Sequence, residues 1–581
     1  MKAPLTQNGR LLLESRYLRK DPGGRPVETP EEMFARVARN VASAENQYPG
    51  ERPAADVEQQ SLEAMLALDF LPNSPALMNA GRELQQLAAC FVLGIEDSIE
   101  SIFETLKSSA LIHQSGGGTG FSFSSVRPRG DYISTSGGRA SGPLSFIRIF
   151  NEATEAINQG GFRRGANMAI LRVDHPDIEE FIRAKEQEGE LVNFNISVAI
   201  TDAFMKALQA GAEYELVNPR TGQAARRVAA QEIFELIVHC AWKNGEPGVV
   251  FIDRINEQNP TPDLGMIEAT NPCGEAPLLA YESCVLGSIN LSHALRGTPT
   301  ACAVDWDRLQ RLTHMGVRFL DNVISVTRFP LSQVRAMTLG NRKIGLGVMG
   351  FADMLIRRGI AYDSPAAVQA AEEVMAFVCR EADAASERLA RERGPFPNFE
   401  RSVYAGRRPP LRNAVRTTIA PTGSISMIAG CSGGIEPIFA VAFQRRVLGG
   451  QPLREVHPDF LPLCERQGFI VPEGLMKEVL ATGRVRPLPE FPDLVRRLFV
   501  TSGEIPPVQH LAVQAAFQRH TGNAVSKTLN LPRESTPDDV REVFLKAYEL
   551  GCKGVTVYRD TSRLSQVLAT ECCRPAEECG V

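Results

Sequence analysis

Residues 194–291 carry the pattern on which the fold turns: FNISVAI (194–200) runs into a helical segment opening at Thr201, and GVVFID (248–253) follows. Next come the loop Asn271-Pro272-Cys273-Gly274-Glu275 and the run ESCVLGSINL (282–291). Short apolar, β-branched runs separated by helix-length segments read as mainly parallel strands with crossover helices, so an α/β body is expected. Within the loop, Pro272 fixes its own φ and Gly274 tolerates positive φ, which puts Cys273 at the tip of a tight turn. In an extended backbone positions i, i+2 and i+4 face one way, so Asn271, Cys273 and Glu275 are expected to offer amide, thiol and carboxylate to one small volume. Taken alone, a Pro-Cys-Gly turn is more often an ordinary buried cysteine, and the surrounding chain has to decide.

The 581 residues are enough for one large enzyme body or two to three domains. A hydrophobic share of 43% with 23% charged residues is that of a water-soluble chain, and a net charge of -5 argues against a general polyanion-binding surface. No nucleic-acid partner is expected, since no basic run occurs and only 2 tryptophans are available for stacking. The first 21 residues hold a run of only three leucines among early charges, neither a signal peptide nor a membrane span, so no membrane role is expected and the compartment is expected to be the cytoplasm. Twelve cysteines in such a chain do not read as a secreted disulfide scaffold. Cys240, Cys302, Cys379, Cys431 and Cys464 stand singly and read as small buried residues, whereas Cys90, Cys273, Cys284 and the terminal Cys572, Cys573 and Cys579 have less ordinary settings. With no paired CxxC and no HExxH, no metal site is expected.

The chain opens with helices. Thr29-Pro30-Glu31-Glu32 is a capping box, and a second helical pattern, VEQQSLEAMLALDF, is expected to end at Leu71-Pro72. LAACFVLGIED reads as a buried strand with Cys90 at its start. Glycine-rich stretches at 115–120, 136–143 and 160–167, the last with Arg163 and Arg164, read as nucleotide-binding loops or as flexible connections. Gly345-Leu346-Gly347-Val348-Met349-Gly350 fits GxGxxG, but no preceding strand or βαβ unit supports a dinucleotide site. A helix is expected from Ser364-Pro365 to Arg393 with Gly394 as its stop. AVRTTIAP (414–421) reads as a strand entering Thr422-Gly423-Ser424, either a phosphate cradle or a plain turn, and KGVTVYRD (553–560) as the last strand.

Together PNSPALMNAG (72–81), AACFVLGIEDS (88–98), GGGTGFSFS (116–124), RRGAN (163–167), NFNISVAITDAFM (193–205), NPCGE (271–275), IGLGVMGFADML (344–355), APTGSIS (420–426) and GVTVYRD (554–560) resemble, in order, the catalytic subunit of ribonucleotide reductases. The resemblance runs from about Leu5 to the carboxyl end and is specifically to the adenosylcobalamin-dependent (class II) kind. It implies a ten-stranded α/β barrel of two parallel five-stranded halves with the Cys273 loop in its centre. Residues 1–70 are then a helical N-terminal portion, 71–565 the catalytic barrel and 566–581 a flexible, cysteine-bearing tail.

The resemblance also implies roles. Cys273 is the thiyl-radical site, Glu275 the general base on the 3′-hydroxyl, Asn271 the group that holds substrate hydroxyls, and Cys90 with Cys284 the dithiol that supplies two electrons. Substrate contacts are implied at Ser74, Ala89, Cys90, Gly118, the run Asn271, Pro272, Cys273, Gly274 and Glu275, and the phosphate run Pro421, Thr422, Gly423, Ser424 and Ile425. Asp97, Ser98 and Arg127 match positions that bind a nucleoside triphosphate effector at a homodimer interface. Two of Cys572, Cys573 and Cys579 relay electrons from a thioredoxin-like reductant. The substrate is a ribonucleotide, with diphosphate ahead of triphosphate, and the cofactor is adenosylcobalamin.

Class I large subunits need adjacent tyrosines near the last strand, and here Thr556-Val557-Tyr558-Arg559 holds one. A glycyl-radical enzyme needs an Arg-Val-x-Gly-Tyr loop that does not occur. The competing readings are a class I large subunit that depends on a metal-radical partner and a non-catalytic nucleotide-binding homologue. Because the chain starts almost directly in the catalytic region, effector control of specificity is expected without shut-off by dATP.

Overall fold

The computed structural model describes residues 2–48, 52–158, 165–446 and 452–562. Residues 160–164 of the expected loop 160–167, and the tail with Cys572, Cys573 and Cys579, lie outside the described residues. Ten strands make the central sheet. In chain order they are β1 (Phe70–Pro72), β2 (Cys90–Leu93), β3 (Gly118–Ser122), β4 (Asn167–Arg172), β5 (Phe194–Ile200), β6 (Gly248–Phe251), β7 (Ser283–Asn290), β8 (Ile344–Met349), β9 (Thr528–Leu531) and β10 (Gly554–Arg559).

Strands β2 to β6 lie side by side in chain order and all parallel. β7 pairs parallel with β8, and β9 parallel with β10. Antiparallel seams join these groups, β2 to β7 and β6 to β10, and β1 adds antiparallel to β7. Helices such as Ile99–Gln114, Pro143–Asn158 and Ala230–Asn244 cross between the parallel strands, as βαβ connections require.

The strands sort their side chains by the two-residue period. Phe91, Leu93, Ala169, Leu171, Val198 and Val285 belong to the large core shared with the helices. Their neighbours Cys90, Val92, Met168, Ile170, Ala199, Cys284 and Leu286 form a second, smaller cluster with Ala269, Ala276 and Leu278 of the Cys273 loop. Alternation therefore turns both Cys90 and Cys284 to the inner face, where the loop lies.

Three expectations change. The second N-terminal helix is Ala54–Leu66, not a run to Pro72. Leu68 takes a left-handed φ of 57° that ends it, and Phe70 instead packs its ring on Gly287 of β7, where a Cβ would stand 2.6 Å away. The GxGxxG run is strand β8 itself. Its glycines answer crowding, since a Cβ on Gly347 would come within 2.2 Å of the Thr418 carbonyl oxygen. AVRTTIAP is not a ladder strand but makes isolated parallel bridges from Thr417 to Leu346 and from Ile419 to Val525. The helix Pro365–Arg393, capped by Ser364 and stopped at Gly394, forms as expected. Among the described residues no helix is long and apolar enough to cross a membrane.

Candidate active site

The Cys273 loop is a hairpin whose arms pair Thr270 with Pro277 and Ala269 with Leu278. Gly274 takes φ 80° and donates its N–H to the Asn271 carbonyl at 3.1 Å, closing the tip. A side chain and a backbone amide from other segments hold the loop. The Asn195 amide donates to the Pro272 carbonyl at 2.8 Å, and the Ala524 N–H donates to the Glu275 carbonyl at 3.1 Å. Two of the glycines of GGGTG, Gly118 and Gly120, serve this packing, the first against the Pro272 ring. Gly118 and Gly120 lie in β3, and a Cβ at Gly120 would stand 1.7 Å from the Thr270 carbonyl oxygen.

Cys273 is exposed at the tip, while Asn271 and Glu275 are buried. Asn271 spans the loop: its Oδ1 accepts from the Ala276 N–H at 2.9 Å, and its Nδ2 donates to the Cys90 sulfur at 3.1 Å. The Cys90 thiol in turn points to Glu275 Oε1 at 3.8 Å. Cys90 and Cys284, 194 positions apart, are direct cross-strand partners at the β2–β7 seam. Such partners have Cα atoms about 4.5–5.5 Å apart, inside the span of about 4.4–6.8 Å that a disulfide bridges. Neither cysteine is in a disulfide. Burial pushes the Cys284 thiol well above its ordinary range, with Lys343 opposing the shift and Glu275 and Glu282 adding to it.

Cys90, Asn271, Cys273 and Glu275 face a cavity of about 250 Å³ at the N-terminal ends of β2, β3 and β4. Its lining includes Ser74, Ala89, Cys90, Gly118, Asn271, Pro272, Cys273, Glu275 and the run Pro421 to Ile425; of the expected substrate contacts only Gly274 is not part of the wall. Thr422, held at a left-handed φ of 53°, turns the chain into the helix Gly423–Ala429. Its first N–H groups have no earlier helical carbonyl to bind. A Cβ added at Gly423 would meet nothing within 4 Å.

Asp97, Ser98 and Arg127 lie elsewhere, beyond the other ends of β2 and β3. Arg127 Nε donates to Asp97 at 2.8 Å, and Ser98 caps the helix Ile99–Gln114. Nearby, Ile99, Phe103 and Leu111 on that helix and Ile149 on the adjacent Pro143–Asn158 are exposed apolar side chains.

Two wall or support residues escape sequence reading. His113 lines the cavity, and its Nε2 meets the Thr119 hydroxyl at 2.9 Å. That hydroxyl donates to Asn167 Oδ1, so His113 Nε2 carries the proton and Nδ1 is left as an acceptor. Burial lowers its pKa to about 4, which keeps the ring neutral. A titratable side chain three residues before a glycine cluster is the signal that marks it. Asn195 gives no local signal, because its role is set by a loop 77 positions away.

Comparison with known proteins fits this geometry. The ribonucleotide reductase all-alpha domain family matches residues 4–85, and the ribonucleotide reductase barrel domain family matches residues 88–409 and 405–558. The chain is 49% identical to the vitamin B12-dependent ribonucleoside-diphosphate reductase of Mycobacterium tuberculosis, over 97% of this chain and 80% of that one. It is 46% identical to the protein of the same name from Thermoplasma acidophilum, again over 97% of this chain and 80% of that one. Among solved structures, the class Id ribonucleotide reductase alpha subunit of Actinobacillus ureae superposes with a TM-score of 0.78 at 23% identity, covering 96% of this chain and 97% of that one.

Proposed function

From the premise that this chain belongs to the ribonucleotide reductase family, we infer that it reduces ribonucleoside diphosphates to 2′-deoxyribonucleotides with adenosylcobalamin as cofactor. The observation that carries the reading is the meeting of Cys273, Asn271, Glu275 and Cys90 at one cavity, with Cys284 directly behind Cys90 on the neighbouring strand. Identity near half with B12-dependent diphosphate reductases favours it over a class I large subunit or a non-catalytic homologue.

The chemistry sets what the residues must do. Hydroxide is a poor leaving group from an unactivated ribose carbon, and a radical at the neighbouring 3′ carbon makes its loss feasible. Cys273 Sγ is the hydrogen-atom shuttle that takes the 3′ hydrogen and later returns it. Adenosylcobalamin, when bound, supplies the cleavable cobalt–carbon bond from which such radical chemistry starts. The loop tip fits a bulky group, since Cys273 is exposed and nothing lies within 4 Å of a Cβ built on Gly274.

Glu275 is the base for the 3′-hydroxyl proton, buried so that no bulk water competes. Asn271 orients substrate hydroxyls while holding Cys90 in place. Cys90 and Cys284 give up two electrons and close to a disulfide. Phosphates are read as lying on the free N–H groups of Gly423, Ser424 and Ile425, where the open space at Gly423 suits them.

The sheet is read as a closed ten-stranded barrel in which residues 417–419 are the stave between β8 and β9, with β1 outside the ring. The bridges Leu346–Thr417 and Ile419–Val525 support this closure. Asp97, Ser98 and Arg127 are assigned to a nucleoside triphosphate effector, and the exposed Ile99, Phe103, Leu111 and Ile149 to the face of a homodimer. The tail cysteines are assigned to the relay from a thioredoxin-like reductant. The compartment is taken as the cytoplasm, where thiols stay reducible.

The test is anaerobic reduction of CDP with dithiothreitol, with and without adenosylcobalamin. Turnover that requires the cofactor supports the reading, and turnover independent of it overturns the class assignment.

A further inference from the structure

The two redox cysteines are not equivalent. Cys90 forms part of the cavity wall, whereas Cys284 is fully buried behind it and is not part of that wall. A buried lysine stands next to Cys284. In the parallel register Val285 faces Ile344, so Lys343 comes alongside Cys284 at the start of β7 and β8. Alternation turns both to the inner face: Leu286 and Gly345, the next inward positions, touch there, with a Cβ on Gly345 reaching 2.5 Å from the Leu286 side chain.

Lys343 is 1% exposed, and its Nζ lies 2.6 Å from Glu282 Oε2. Glu282, two residues before Cys284, is fixed by the Asn341 amide at 2.5 Å and the Leu279 N–H at 2.8 Å. Glu275 also acts on Cys284, and Lys553, within electrostatic range of Lys343, is held by the carbonyls of Gly522 and Asn523. Burying an ion pair is costly, and this one lies beside a sulfur that no catalytic step yet uses it for.

We propose that Lys343 is a positioning residue for thiol exchange: it makes Cys284 the sulfur that leaves as a thiolate when a dithiol reductant, entering through the cavity, attacks Cys90. The inference rests on the reading of Cys90 and Cys284 as the redox pair. In the first step a reductant thiolate bonds to Cys90 Sγ, the Cys90–Cys284 bond breaks, and its electron pair leaves on Cys284 Sγ. In the second, the other reductant sulfur, as a thiolate, displaces Cys90, and the two protons given up by the reductant end on Cys90 and Cys284, so the protein disulfide is reduced and the dithiol oxidised. A better-stabilised leaving thiolate departs faster. Burial alone pushes the Cys284 thiol up and slows its departure, and the neighbouring Lys343 ammonium is the group that opposes that shift.

The test uses the full chain with Cys572, Cys573 and Cys579 changed to serine, oxidised to the Cys90–Cys284 form and reacted with 2-mercaptoethanol. The adduct is trapped by acid and alkylation and located by peptide mass. The expected adduct is on Cys90 with Cys284 alkylated. The Lys343→Met/Glu282→Gln pair of changes slows exchange on the order of tenfold, while Lys343→Arg restores it. Lys343→Gln, which keeps a donor to Glu282, carries the same expectation and covers a failure of the double variant to fold. An adduct on Cys284, or exchange as fast without the ammonium, overturns the inference alone. If no Cys90–Cys284 disulfide forms on oxidation or turnover, the redox-pair reading falls and this inference with it.

Discussion

Gly120→Ala isolates what holds the radical loop in position. The added Cβ would stand 1.7 Å from the Thr270 carbonyl oxygen and 2.8 Å from its carbon, whereas real Cβ contacts essentially never fall under 3.0 Å. The carbonyl therefore has to retreat by about 1.3 Å, and the obstacle is backbone, not the end of a flexible side chain. Thr270 is the last strand residue before Asn271, so the shift passes directly into the segment that carries Asn271, Cys273 and Glu275. Overpacking of this kind costs about 1–3 kcal/mol of stability, which a chain this size can absorb. A misplacement of about 1 Å at reacting groups costs about a hundredfold in rate. The expected result is a folded protein, by near-unchanged circular dichroism and a modestly lowered Tm, whose anaerobic CDP reduction falls at least about a hundredfold. A folded variant that keeps its rate within about threefold refutes the claim that β3 sets the position of the loop.

Gly423→Ala places its methyl in open space, so the fold and Tm should not change. If phosphates rest there, KM for CDP rises on the order of tenfold with kcat little altered, the sign of lost uniform binding; an unchanged KM removes the phosphate assignment. For His113 the folded pKa of about 4 lies below the ordinary 6.5, so between those values the unfolded chain binds the extra proton. The stability it contributes is complete above pH 6.5 and is lost as pH falls toward 4, a total of about 3 kcal/mol. A His113→Gln variant should flatten that part of the stability–pH curve, and an imidazole NMR titration with a midpoint near 6.5 would contradict the assignment.

Much of this site is local enough to be read from the chain. Thr29 and Ser364 announce their helices because caps act over three residues. The Pro272–Gly274 turn dictates its own tip. What is not legible depends on packing between distant segments. Sequence leaves the glycines of 116–120 open between a ligand loop and a flexible connection and gives no reason for those of 345–350, and only the approach of Thr270, Pro272 and Thr418 explains Gly118, Gly120, Gly345 and Gly347. Phe70–Pro72 continues a helical pattern until Leu68 breaks it and Gly287 accepts the Phe70 ring. That Cys90 lies opposite Cys284, or Asn195 under Pro272, follows from strand order, which no single segment encodes.

The central claim is a division of labour, in which Cys273 moves a hydrogen atom and Cys90 with Cys284 supplies the electrons. It is tested most directly by a single turnover of pre-reduced protein, with the three tail cysteines changed to serine, given CDP and adenosylcobalamin but no external reductant. The account predicts one deoxynucleotide per chain, formed together with a Cys90–Cys284 disulfide, and none from the Cys273→Ser variant. Product from that variant, or product formed while Cys90 and Cys284 remain free thiols, would contradict it.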